Sequence, residues 1–251
     1  LAGTGGSYTS QWSTIYDFKK KETGQQLFNM RQIYFAWNLD RWRLDLGVIA
    51  PVKGKVSNTS LDKDGWIRGA RFMVPFLESG SLEFVSGILD AIDDPNAFQN
   101  WGRWNYAEVE WTHDLTDYAR AEAGYVHLAG QDYLRGEFRW LWKLSSDLKI
   151  EAATEALRNV TTPTWAFDTS LKVSLPFIAL VAEYSYVPST FGLLGELSND
   201  FFALGHLGML AMKGPIGDGL GLDWFTKSYV SENELRLVAG IGLSWVYTPE
   251  Q

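Results

Sequence analysis

The chain has 251 residues, a formal net charge of −8 and no cysteine, which removes disulfide scaffolds, thiolate zinc sites and thiol nucleophiles from consideration. Its Lys and Arg residues are dispersed rather than gathered on one basic face, so nucleic acid is not an expected partner. Twelve Trp, eleven Tyr and fourteen Phe make it rich in aromatics, yet mean hydropathy is −0.14 and no stretch approaches the roughly 18 uncharged apolar residues of a spanning helix.

Taken in chain order, residues 1–7 are short and glycine-rich, as expected of a mature start after processing, and leave no room for an N-terminal plug. A two-residue alternation of apolar and polar side chains then predicts strands over 8–19, 25–38, 41–52, 65–77, 81–92, 103–113 and 118–129. It continues over 132–144, 147–157, 164–175, 178–187, 201–212, 219–229 and 234–247. The clearest alternation sets Trp165, Phe167, Leu171, Val173 and Leu175 against Asp168, Ser170, Lys172 and Ser174, which puts the two sets on opposite faces of an extended chain. Leu134, Phe138, Trp140 and Trp142 alternate with Arg135, Glu137, Arg139 and Lys143 in the same way. The second strand has no clear facing, because Phe28, Met30 and Tyr34 compete with Ile33, Phe35 and Trp37.

Most of these strands exceed the five or six residues usual in soluble domains and match the roughly nine to eleven tilted residues that cross a bilayer. Tight links at Leu39-Asp40, Glu78 to Gly80, Leu115-Thr116 and Ser145-Ser146 alternate with longer ones over 53–64, 93–102, 158–163 and 188–200. Every long link therefore falls on one rim. Trp12, Trp66, Trp104, Trp142, Trp165, Trp245 and Tyr247 lie toward strand ends, where rings suit a boundary between lipid and water. The expectation is one domain over 1–251: an all-β, closed antiparallel up-and-down transmembrane barrel of about fourteen strands, or twelve if the weak segments near Phe28 or Phe201 are not strands.

Size decides which face looks inward. Eight strands already give an interior just filled by side chains, so an apolar face could not fill a barrel of fourteen. The polar face then encloses water, and its lumen-lining residues are Arg43, Arg71, Glu108, Glu110, Arg120, Glu122, Arg135, Glu137, Arg139, Lys143, Lys149, Glu151, Asp168, Lys172, Glu183, Asp223, Lys227 and Arg236, with Asp45 on the same parity. Their mixed signs predict modest ion selectivity. A two-residue turn at Gly130-Gln131 would set Glu122 opposite Arg139, and a register summing to 290 would set Arg139 opposite Glu151 and Arg135 opposite Glu155. The same reasoning would bring Glu110 near Arg120 and pair Lys172 with Glu183.

Little else carries chemistry. His113, His127 and His206 are far apart and mostly on the apolar parity, so no metal site or catalytic set is expected and no cofactor is implied. Asp93 to Asn96 and Asn58 to Asp64 read as polar turns rather than calcium loops. The glycines between Gly205 and Gly221 read as bends or close approaches of strands rather than a phosphate loop.

In strand number and absence of a plug the chain resembles the Gram-negative outer-membrane β-barrels, and among them the monomeric fourteen-stranded porins of the outer membrane protein G type. The ending Leu243, Trp245, Tyr247 is similar to their alternating aromatic terminus, although Thr248 to Gln251 follows where an aromatic final residue would be usual. The resemblance implies an outer-membrane channel passing small hydrophilic solutes, with outer-membrane lipid as its surroundings and the links over 53–64, 93–102 and 188–200 narrowing its mouth. The alternatives are a barrel hydrolase of lipid or peptide with its site at a rim, and a barrel serving as export or scaffold partner in an envelope complex.

Overall fold

A computed structural model describes residues 5–13, 29–49, 67–89, 102–193, 204–217, 222–232 and 235–243, with side chains described between Ile33 and Gly242. The strands are β1 (Gly5–Ser13), β2 (Asn29–Leu39), β3 (Trp42–Ile49), β4 (Ile67–Phe76), β5 (Gly80–Leu89), β6 (Tyr106–Thr116) and β7 (Ala119–Leu128). They continue as β8 (Gln131–Lys143), β9 (Lys149–Asn159), β10 (Thr164–Leu175), β11 (Ile178–Val187), β12 (Gly205–Pro215), β13 (Leu222–Ser231) and β14 (Leu235–Leu243). All fourteen form one sheet in strict chain order, each antiparallel to the next. This is the up-and-down barrel that the alternation implies; the described residues carry no pairing across the seam between β14 and β1.

The ends of β10 and β11 fall where the alternation puts them; residues 14–19, 50–52 and 244–247 of the expected first, third and last segments lie outside the described residues. Facing in β2 is settled by burial: Phe35 and Trp37 are exposed, and Ala36 between them is buried. β6 carries a bulge between Asp114 and Thr116, next to the turn into β7.

Two turn geometries correct the expected register. Ala129 and Gly130 both have positive φ, at 48° and 88°. That is the two-residue hairpin turn whose twist suits antiparallel strands. The turn therefore sits at Ala129-Gly130, one residue earlier than Gly130-Gln131, and Leu128 faces Gln131. Between β8 and β9 the chain reverses over Leu144 to Leu148, and the N–H groups of Leu144 and Ser145 both donate to the Leu148 carbonyl. Arg139 consequently faces Ala153, and Arg135 faces Leu157.

Across β3 to β5, Gly47, Gly69 and Gly87 stand side by side on one face. A Cβ on Gly69 would lie 2.0 Å from the Ser86 carbonyl oxygen, and one on Gly87 would lie 2.3 Å from that of Arg68. Neighbouring backbones approach here more closely than any side chain permits.

The outer face is apolar. Phe35, Trp37, Leu46, Phe84, Val109, Leu134, Phe138, Trp140, Phe167, Leu171 and Leu210 all stand exposed on it. Rings gather in two bands. Trp42, Phe72, Tyr118, Trp140, Trp142 and Phe177 lie toward the short-turn rim, and Trp104, Tyr125, Trp165, Tyr184 and Tyr186 toward the rim of long links. Trp66, Trp245, Tyr247 and the links over 53–64 lie outside the described residues.

Candidate functional site

The inner face is where charge and burial coincide. Strand register places every residue expected to line the lumen, from Arg43 in β3 to Arg236 in β14, on this one face. It then sorts them by height, which parity alone could not do.

The middle tier is a row of four carboxylates directly opposite one another on adjacent strands: Glu122, Glu137, Glu155 and Asp168 on β7 to β10. All four are buried. Like charges so placed repel, and the row stands because arginines lie one pair position above and below it. Arg135, only 3% exposed, uses all three guanidinium nitrogens. Nε donates to Glu155 at 2.5 Å, Nη1 to Glu110 at 2.7 Å, and Nη2 to Glu137 at 2.6 Å and to Glu122 at 3.1 Å. A planar fork with five N–H donors can serve four acceptors; an ammonium cannot do so at these separations. Gly124 lies between Glu110 and Arg135 in the same lateral row, so no side chain stands between the guanidinium and Glu110.

Arg139, on the other side of the row, pairs with Glu122 at 2.8 Å and with Glu137, and Arg120 reaches Glu122 at 3.3 Å. On the neighbouring wall Arg71 bridges Asp45 and Glu83, while Arg43 donates to Asp45 at 2.8 Å. The expected partnerships Arg135 with Glu155 and Arg139 with Glu122 thus form, but diagonally rather than face to face. Glu110 pairs with Arg135 rather than Arg120, whose partners are Asp114 and Glu122. Glu151 faces Leu141, Lys172 faces Val181, and Glu183 faces Ser170, each one pair position from the expected register.

Toward the short-turn rim the inner face opens to solvent. Asp114, Arg120, Lys143 and Lys149 are exposed, and Arg43, Glu151, Lys172 and Glu183 half-buried. A cavity of about 610 Å³ sits here, bordered by Asp114, Asp117, Arg120, Arg139 and Glu151.

Toward the opposite rim the same face turns largely apolar. Ile49, Ile67, Leu89, Tyr106, Leu128, Tyr133, Leu157, Ala166 and Val187 form one buried cluster running along the wall from β3 to β11, joined by Phe191 from the link after β11. Alternation did not reveal this tier, because near these strand ends both parities are apolar, as in Tyr133-Leu134 and Ala166-Phe167. Glu83 was also missed. Its signal is positional: it lies opposite Glu110 and Met73 on the charged face.

The three histidines point outward. His127 Nδ1 lies 2.7 Å from Asp132 Oδ1, which also accepts from the Tyr125 hydroxyl at 2.6 Å; His206 Nδ1 contacts the Tyr184 hydroxyl at 2.6 Å. His113 stacks on Trp111 and lies 3.4 Å from Ser79 Oγ, with no carboxylate on its other ring nitrogen among the described residues. Among the described residues these contacts tie down rim aromatics and bring no nucleophile, base and acid together.

No protein-family model and no curated relative matches the sequence. Solved structures do match in fold. Pseudomonas aeruginosa OpdQ superposes with a TM-score of 0.65 at 12% identity, over 86% of this chain and 72% of its own. Acinetobacter baumannii OccAB1 gives 0.62 at 10% identity, over 90% and 69%. Pseudomonas aeruginosa OccK7 (OpdD) gives 0.60 at 14% identity over 80% of this chain, which spans 62% of that protein.

Proposed function

We propose that this chain is an outer-membrane channel for small hydrophilic solutes. One observation carries the reading: the two faces of the sheet are inverted relative to a soluble protein. Leu171 is 47% exposed on the outside while Asp168, three residues earlier, is fully buried on the inside. Large apolar side chains covering a whole outer surface need lipid around them. The two ring bands fit the interfaces, and the fold shared with the Opd and Occ proteins supports the same placement. The long links then face the exterior and the short turns the periplasm.

The sorted charges refine the expected selectivity. In and beside the middle tier Asp45, Glu83, Glu108, Glu110, Glu122, Glu137, Glu155 and Asp168 outnumber Arg43, Arg71, Arg120, Arg135 and Arg139 among the described residues. A permeating ion therefore meets a net negative ring, which favours cations. The lone Ser79 and His113 contact gives a rim hydrolase no comparable support.

Reconstitution in planar bilayers tests the channel. The expected result is discrete conductance steps whose reversal potential, under a salt gradient, moves toward the cation equilibrium value. A folded barrel that stays silent over a range of voltage, with residues 188–193 intact or deleted, would refute it.

A further inference from the structure

Resting on the channel reading, we infer that residues 188–193 form a built-in stopper that seats Phe191 in the apolar tier and seals the external end of the lumen. Phe191 belongs to the link after β11, where a ring would ordinarily be wet, yet it is fully buried. Its ring packs on Tyr133 of β8 with centroids 5.5 Å apart. The segment thus reaches back over three strands to find its seat.

The seat has a latch made of neutral groups. Asn159 Nδ2 donates to the Phe191 carbonyl oxygen at 2.6 Å, and its own Oδ1 accepts from the Thr162 N–H at 3.0 Å, which fixes the amide. The Leu193 N–H donates to Gln131 Oε1 at 3.1 Å, and the Tyr133 hydroxyl donates to the same oxygen. Within the segment, the Phe191 N–H donates to the Pro188 carbonyl at 2.9 Å. Gly192 joins the two halves of the latch at φ +93°, and a Cβ there would fall 2.4 Å from Gln131 Oε1. Glycine adopts this φ freely, whereas a Cβ would strain the turn and displace the end of the Gln131 side chain.

Chemically, this is a hydrophobic constriction. Water and ions tend to leave a largely apolar neck because it offers them few hydrogen bonds, and the seated segment engages Asn159 and Gln131, so the ring needs to narrow the neck rather than fill it. Two single-sided amide contacts on a short segment are a modest restraint. A neutral hydrogen bond shifts an equilibrium by about fivefold to tenfold, so loss of either contact moves the segment toward an unlatched state, against the burial of the Phe191 ring. The acidic middle tier then conducts only while Phe191 is out of its seat.

The absence of cysteine makes the test direct. Ala166→Cys places one thiol in the buried apolar tier at little cost in volume, and a charged, water-soluble methanethiosulfonate reports its wetting in the detergent-solubilised barrel. The stopper predicts slow labelling in the otherwise native chain, at least tenfold faster labelling with Phe191→Ser, and about fivefold faster with Asn159→Ala. Equal labelling rates in the native, F191S and N159A backgrounds would overturn it. Heat-modifiable migration checks each fold; where F191S fails to form a barrel, Gly192→Ala, which strains the turn at φ +93° and displaces the Gln131 half of the latch, takes its place under the same criterion. Bilayer recordings separate this inference from the channel reading: thiol protection that depends on Phe191 in a barrel that never conducts would refute the channel and leave the seal standing. Conductance with identical open times in native, N159A and F191S chains would refute the seal and leave the channel standing.

Discussion

Replacing Arg135 by Leu is the most informative single change to the wall. It removes four charge-assisted contacts at 2.5–3.1 Å from Glu110, Glu122, Glu137 and Glu155, while Arg139 still pairs with Glu122 and Glu137 and Arg120 with Glu122. Removing one partner of a buried ion pair typically costs about 3–5 kcal/mol, because the remaining charge is left without compensation. Four carboxylates share that loss here, so R135L belongs at the upper end of the range. Arg135→Lys keeps the charge but not the fork; it reaches fewer of the four acceptors and is expected to lose about 1.5–3 kcal/mol, the worth of a hydrogen bond to a charged group. Adding Glu155→Gln to R135L should return part of the loss, because it removes one of the repelling charges. The assay is the denaturant midpoint of the folded, fast-migrating species in micelles. An R135L barrel within about 1 kcal/mol of the native chain, or an R135L/E155Q barrel less stable than R135L alone, would show that the arginine hub does not hold the carboxylate row together.

Other parts of the wall give independent tests. Gly69→Ala puts a Cβ 2.0 Å from a backbone oxygen that cannot yield, so the heat-modifiable form should be lost or sharply reduced. Gly130→Ala meets nothing within 4 Å and suffers only from its φ of +88°, so the same assay should show a loss of roughly 1–2 kcal/mol. Leu171→Arg puts a charge on the outer face and is expected to cost about 2–4 kcal/mol in lipid, with the denaturant midpoint as readout. The adjacent Lys172→Ala, on the inner face, should shift that midpoint by no more than about 0.5 kcal/mol.

The barrel was legible because lipid on one side and charge on the other impose period two over whole strands, and Trp165 to Leu175 shows this almost without exception. Parity also fixed which residues share the inner face, from Arg43 to Arg236. Register needs one further fact, the φ values of the turn residues, and the sequence Ala-Gly-Gln permits two turns. The structure uses Ala129-Gly130, with a non-glycine residue at φ 48°. That one-residue difference moves partners by two positions, turning an expected row of alternating charges into a row of acids held by diagonal arginines. Phe191 was invisible for another reason. Nothing in Pro188 to Leu193 distinguishes a solvated link from one that returns to the wall until Asn159, Gln131 and Tyr133 are brought to meet it.

The account depends on which face of the sheet touches lipid. Nitroxide labels at Leu171→Cys and Lys172→Cys in reconstituted bilayers, read for collision with oxygen and with a water-soluble nickel chelate, address it residue by residue. Position 171 should relax with oxygen and be shielded from the chelate, with position 172 showing the opposite preference. Oxygen access at 172 together with chelate access at 171 would contradict the arrangement on which the channel, its charge tiers and its stopper are built.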